Sequence, residues 1–182
     1  MTAAIQQLSK KVCLIGDMSV GKTSLVRRYV EDRFDDKYLS TLGVKVSRKV
    51  VEIQSEHSLI RLSILLWDIA GGITNDAVPL TPSYMRGAAG AVLVCDLTRA
   101  ETLTNLAFYA SQLQVVAPSA TVLVAANKAD IPDQHQVTSA EVAQVAQSLN
   151  TTSIMTSALT GDGVEELFLT LGRRLVATPT ES

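Results

Sequence analysis

The residues Gly16-Asp17-Met18-Ser19-Val20-Gly21-Lys22-Thr23 fit G-x-x-x-x-G-K-[ST], and Ser24 follows them. Those residue types at that spacing suit one chemistry, the cradling of phosphate. The glycines let the backbone curl so that its N–H groups converge on phosphate oxygens. A helix starting just after the loop adds unpaired donors and a partial positive charge. Lys22 adds a full charge, and the Thr23 hydroxyl is of the type that ligates Mg²⁺. The flanks agree with this reading. Lys11-Val12-Cys13-Leu14-Ile15 reads as a buried strand, and Ser24 to Val30 spaces its apolar residues like a helix.

Length and composition bound what surrounds the loop. At 182 residues the chain is sized for one domain with a substantial core. A net charge of −2 argues against a nucleic-acid binder, which normally shows a basic excess. The longest apolar run, Ala88 to Cys95, is too short to span a bilayer, and Met1 to Ile5 lacks the features of a signal peptide. The cysteines, Cys13 and Cys95, both fall in expected buried strands, as free core thiols in a reducing cytoplasm would.

The elements that must position the loop follow from periodicity. Residues 1–9 are small and polar and are expected to be a disordered extension, with the domain running over 10–177 and a short flexible tail at 178–182. Glu31 to Gly43 shows no sustained period and reads as a surface loop. Val44 to Ser55 and Leu59 to Trp67 read as strands of an antiparallel hairpin. Ile73 to Arg86 holds Pro79 and Pro82 and cannot be one regular helix. Strands are expected at Gly90–Asp96, Thr121–Ala126 and Thr152–Thr156. Helices are expected at Glu101–Val116, from the Thr138–Glu141 capping box to Leu149, and at Val164–Val176 with Asp162 as N-cap. Alternating strands and helices predict an α/β P-loop NTPase fold. Its sheet should be mostly parallel and six-stranded, with one antiparallel edge strand and helices on both faces. His57 and His135 fall in loops and read as solvated surface.

Further short motifs follow the phosphate loop in one order: Thr41 in the loop, Asp68-Ile69-Ala70-Gly71, Asn127-Lys128-Ala129-Asp130 and Thr156-Ser157-Ala158. With Tyr38 to Val44 and Trp67 to Gly71, this order resembles the Ras superfamily of small GTPases, and its Rab branch most. The resemblance implies a molecular switch that binds GTP or GDP with Mg²⁺ and hydrolyses GTP. It implies nucleotide contacts from Asp17, Met18, Ser19, Val20, Gly21, Lys22, Thr23 and Ser24. Phe34 would pack against the base, which Asn127, Lys128, Asp130, Ser157, Ala158 and Leu159 would surround. The Asp130 carboxylate would accept from the guanine N1–H and N2–H₂ donors, a pair adenine lacks. Thr23, Thr41 and Asp68 would serve the metal, Asp68 through a water. Thr41 and Gly71 would meet the γ-phosphate only in the triphosphate state, which is the differential binding a switch requires. Catalysis would rest on Lys22, Thr41, Gly71 and the position of Gly72. Protein effectors and regulators would be met through residues about 35–48 and 67–87.

The sequence also departs from that pattern. The family places a water-orienting glutamine where Gly72 stands. Met18 and Ser19 occupy loop positions that are usually small, and bulk at Met18 would crowd a catalytic arginine or glutamine. The segment from Gly72 to Gly87 is longer than in Rab chains, and Asn75 or Asp76 is a candidate replacement for the lost glutamine. Positioning is most of phosphoryl-transfer catalysis, so slow hydrolysis is expected. No cysteine follows Cys95 and position 2 is Thr2, so no direct lipid anchor is expected and membrane recruitment would need a protein partner. Val46 stands where Rab chains present a phenylalanine beside Trp67. Two alternatives stay open. One is a pseudo-GTPase that uses nucleotide as a structural ligand; the other, a small P-loop kinase or ATPase, is disfavoured by Asp130 and by the lack of an arginine-rich lid.

Overall fold

A computed structural model describes residues 5–35, 40–54, 58–72 and 80–177. His57, Asn75, Asp76 and Pro79 lie outside the described residues. The strands are β1 (Ile5–Ile15), β2 (Val44–Gln54), β3 (Leu59–Ile69), β4 (Gly90–Asp96), β5 (Thr121–Asn127) and β6 (Ser153–Met155). They form one six-stranded sheet in the order β2-β3-β1-β4-β5-β6. Every pairing is parallel except that of the edge strand β2 with β3.

Period-2 alternation sends successive residues to opposite faces, and each face has its own helices. Val12, Leu14, Val92, Val94, Leu123 and Ala125 pack under α1 (Lys22–Glu31) and α6 (Val164–Ala177). Cys13, Ile15, Ala91, Leu93, Val124 and Ala126 pack under the other helices. These are α2 (Leu80–Met85), α3 (Ala100–Thr104), α4 (Leu106–Val116) and α5 (Ser139–Ser148). The Thr138 side chain and Glu141 complete the expected capping box on α5. Both cysteines are free and buried, and burial raises the Cys13 thiol to about 11 and the Cys95 thiol to about 12. Among the described residues no helix is long and apolar enough to cross a membrane.

The structure differs from the sequence expectation in three places. Residues 5–9 are strand rather than disordered extension, because β3 offers a long free edge and Ile5 to Ser9 pair along it with Leu59 to Ser63. The helix expected over Glu101–Val116 is interrupted at Asn105, where ψ of −12° loosens the ladder. Asp162 does not cap α6; its carboxylate accepts the Thr160 hydroxyl, and Gly163 at φ 70° stands between it and the helix.

Phe168 is fully buried on α6 and stacks on Tyr29 of α1 with ring centroids 4.2 Å apart. Truncation there removes the shared wall of both helices. Phe168→Ala is expected to lower unfolding free energy by about 3–5 kcal/mol, read as a shift of the urea midpoint at unchanged slope.

Candidate functional site

The site lies along the carboxyl ends of β1, β3, β4 and β5, where an open α/β sheet binds ligands. Its floor is the turn from β1 into α1. Gly16 passes so close to β4 that an added Cβ would stand 2.3 Å from the Val94 carbonyl oxygen. Gly21, at φ 100°, leaves room for the Asn127 amide, which an added Cβ would approach to 2.2 Å. The Lys22 ammonium folds back across this turn and donates to the carbonyls of Gly16 at 2.9 Å and Asp17 at 2.6 Å. Lys22 is only 6% exposed, and burial pulls its pKa down to about 8 against the opposing pull of Asp68 and Asp17.

Beside Lys22 the β2–β3 register brings two distant segments together. Val44 pairs with Ile69 and Lys45 with Asp68, and the Ala70 N–H donates to the Gly43 carbonyl at 2.8 Å. Thr41 thereby reaches the Thr23 hydroxyl at 2.8 Å, and Thr23 donates to Asp68 Oδ2 at 2.5 Å. Asp68 Oδ1 is buried with no hydrogen-bond partner, and burial raises its carboxyl pKa despite Thr23, Lys22 and Thr41. A buried carboxylate with one orphaned oxygen and two adjacent hydroxyls is a hard-oxygen donor set that fits Mg²⁺. Among the described residues no group of three or more His, Cys, Asp or Glu could hold a metal alone. The set is thus of the kind that leaves coordination positions for substrate oxygens and water.

At the far end, Asn127 ties three loops together. Its Nδ2 donates to the Val20 carbonyl at 3.0 Å, while its Oδ1 accepts the Ala158 N–H at 3.2 Å and the Thr156 hydroxyl at 3.3 Å. Ser157 Oγ donates to Asp130 Oδ1 at 2.6 Å and so fixes the plane of that carboxylate. Lys128 sits at φ 69°, and its ammonium reaches Asp96 Oδ2 at 2.6 Å. Between these two ends lies a cavity of about 380 Å³.

Of the residues expected from sequence, Met18, Ser19, Gly21, Lys22, Thr23, Ser24, Phe34 and Thr41 line this cavity. So do Gly71, Asn127, Lys128, Asp130, Ala158 and Leu159. Asp17, Val20, Ser157, Asp68 and Gly72 are not among the lining residues. Val20 and Ser157 are buried, and Asp68 stands behind Thr23. The Asp17 carboxylate turns away to Asn105 and Tyr109. Val46 lies directly across the hairpin from Trp67, whose ring is covered by the Lys11 ammonium at 3.7 Å from its centroid.

Sequence reasoning missed several supports. Asp96 closes β4 with a fully buried carboxylate that holds Lys128, Arg99 and Thr98. Burial pushes its pKa up, but Lys128, Thr98 and Arg99 outweigh that and hold it below the usual range. The only signal in the sequence is an acid ending a buried apolar run. His135 is half-buried and not free surface: its Nε2 lies 3.0 Å from the Lys128 carbonyl. Arg28 of α1 donates to the carbonyls of Ala158 at 3.0 Å and Leu159 at 2.7 Å. Helical periodicity marks Arg28 as a surface position, and nothing local reveals so distant a target.

Two outcomes follow. Arg28→Ala is expected to weaken, by about tenfold, any ligand that rests on the turn at Ala158 and Leu159, checked by titration with fluorescent nucleotide probes. Nucleotide affinity should also fall as pH rises through about 8, where Lys22 of the free protein loses its proton. A bound phosphate would restore that proton, so calorimetry in buffers of different ionisation enthalpy should show proton uptake at about pH 8.5 that shrinks by about pH 7.5.

The model of the Ras family matches residues 11–177. Rab-4 of Dictyostelium discoideum is 36% identical over 167 residues, covering 91% of this chain and 78% of its own. Rab-22A of Mus musculus is 38% identical over 169 residues, covering 92% and 84%. The GTP-binding protein ypt4 of Schizosaccharomyces pombe is 33% identical over 163 residues, covering 88% and 69%. With a phosphate loop, a hydroxyl–carboxylate cluster and an Asn-Lys-x-Asp loop around one cavity, the chain belongs to the Ras family, on its Rab-like branch.

Proposed function

We propose that this protein is a guanine-nucleotide switch that binds GTP and GDP with Mg²⁺ and cleaves GTP slowly. The observation that carries the proposal is the convergence of Lys22, the Thr23–Thr41–Asp68 cluster and the Asn127–Asp130–Ala158 loops around one cavity. Thr23 and Thr41 would hold the metal, with Asp68 behind them; when bound, it neutralises charge shared by the outer phosphates. Lys22 holds the phosphates through its ammonium, and Asp130 selects guanine through its acceptor pair. Thr41 and Gly71 sense the γ-phosphate and pass its presence to effectors meeting residues about 35–48 and 67–87. The free buried thiols suit the cytoplasm.

Slow cleavage is supported by Gly72. Its φ of 126° lies in a region that L side chains rarely adopt. The position lacks the glutamine side chain, and a side chain placed there would carry backbone strain. Met18, 51% exposed on the cavity wall, occupies the flank from which a partner's arginine would enter.

The test combines binding with single-turnover cleavage. GDP and GTP should displace a fluorescent guanine nucleotide, and ATP in about hundredfold excess should not. Cleavage should run at about 10⁻⁴ s⁻¹ or below. Gly72→Gln should raise it at least about threefold with some loss of thermal stability, and Gly72→Ala should not raise it. Equal displacement by ATP overturns guanine selectivity. A fast wild type that Gly72→Gln does not improve overturns slow cleavage, and tight binding with no turnover at all favours the pseudo-GTPase.

A further inference from the structure

The phosphate loop contains a carboxylate, Asp17, that does not face the phosphates. Asn105 Nδ2 donates to its Oδ2 at 2.8 Å, and Tyr109 Oη donates to its Oδ1 at 2.7 Å. Both donors come from the interrupted junction of α3 and α4. Arg99, just before α3, donates to the Met18 carbonyl at 2.8 Å, so the next loop residue is held from the same segment. The other side of Asp17 faces the site. Its carbonyl takes the shorter of the two bonds from Lys22, and an added Cβ on Gly71 would stand 2.5 Å from that same oxygen. Burial raises the Tyr109 phenol, with Asp17 acting in the same direction and the backbone of Gly72 against it, so the hydroxyl remains a donor.

We propose that Tyr109 and Asn105 are positioning residues for the γ-phosphate side of the site: by gripping both oxygens of Asp17 they fix the carbonyl against which Gly71 packs. This rests on the GTP-binding reading above. Plain packing is a separate matter. The Tyr109 ring is 4% exposed and fills the core under α4 whether or not it carries a hydroxyl. The base end has hydrogen bonds of its own, through Asn127, Asp130 and Arg28.

The asymmetry gives the test. Tyr109→Phe keeps the ring and deletes the grip. Affinity for GDP should stay within about twofold, while affinity for a non-hydrolysable GTP analogue and the single-turnover rate should each fall about fivefold or more. Asn105→Ala should repeat the pattern, so the test survives if one variant folds poorly. In an Asp17→Ala background Tyr109→Phe should have little further effect, since the two share one interaction. Equal losses for GDP and the GTP analogue, or no loss of either, overturn the assignment. So does a Tyr109→Phe effect that is undiminished by Asp17→Ala. A wild type that binds neither nucleotide overturns the parent reading, and this one with it.

Discussion

An ammonium group taken as far from water as that of Lys22 must be given other dipoles, and the fold supplies them from the loop itself. The carbonyls of Gly16 and Asp17 turn inward to receive it. That single solvation requirement shapes the turn between β1 and α1. It explains why Gly16 runs against the Val94 carbonyl, and why Gly71 carries no side chain where one would strike the ammonium at 2.3 Å. The pKa of about 8 is the residue of this compromise: burial disfavours the charge, and Asp68 and Asp17 retain it.

The metal-side cluster is a product of strand register. Thr41 and Asp68 are far apart in sequence, and neither is special locally. The antiparallel pairing of Val44 with Ile69 sets them side by side, and a slip of one residue would turn Asp68 to the other face. Among the protein's own groups Asp68 Oδ1 has no hydrogen-bond partner.

The base end is organised by acids and amides rather than by charge alone. Asp96 keeps its carboxylate ionised because Lys128, Thr98 and Arg99 converge on it, and it thereby anchors both the Asn127–Asp130 loop and the segment leading to α3. Asn127 joins the phosphate loop to the turn after β6. Phosphate end and base end are thus connected through the β4 and β5 termini, and the anchor at Asn105 and Tyr109 extends the same scaffold to the γ-phosphate side.

Glycine spacing, a lysine followed by a threonine, period-2 apolar runs and an Asn-Lys-x-Asp quartet are local signals, and local physics is enough to interpret them. They determined the phosphate loop, the alternation of strands and helices, and the placement of the motifs at strand ends. The missing side chain at Gly72 was equally plain, because absence of a functional group is written in the sequence itself. What only tertiary structure decided were the long-range partners. Arg28 gripping the Ala158 carbonyl and Tyr109 gripping Asp17 join residues 130 and 92 positions apart, and neither has a sequence period. The outward turn of Asp17, the use of Ile5 to Ser9 as strand, and the left-handed backbone at Gly72 belong to the same class. Each depends on what the opposite element presents once the sheet has closed, and hydrogen-bond geometry is fixed only then.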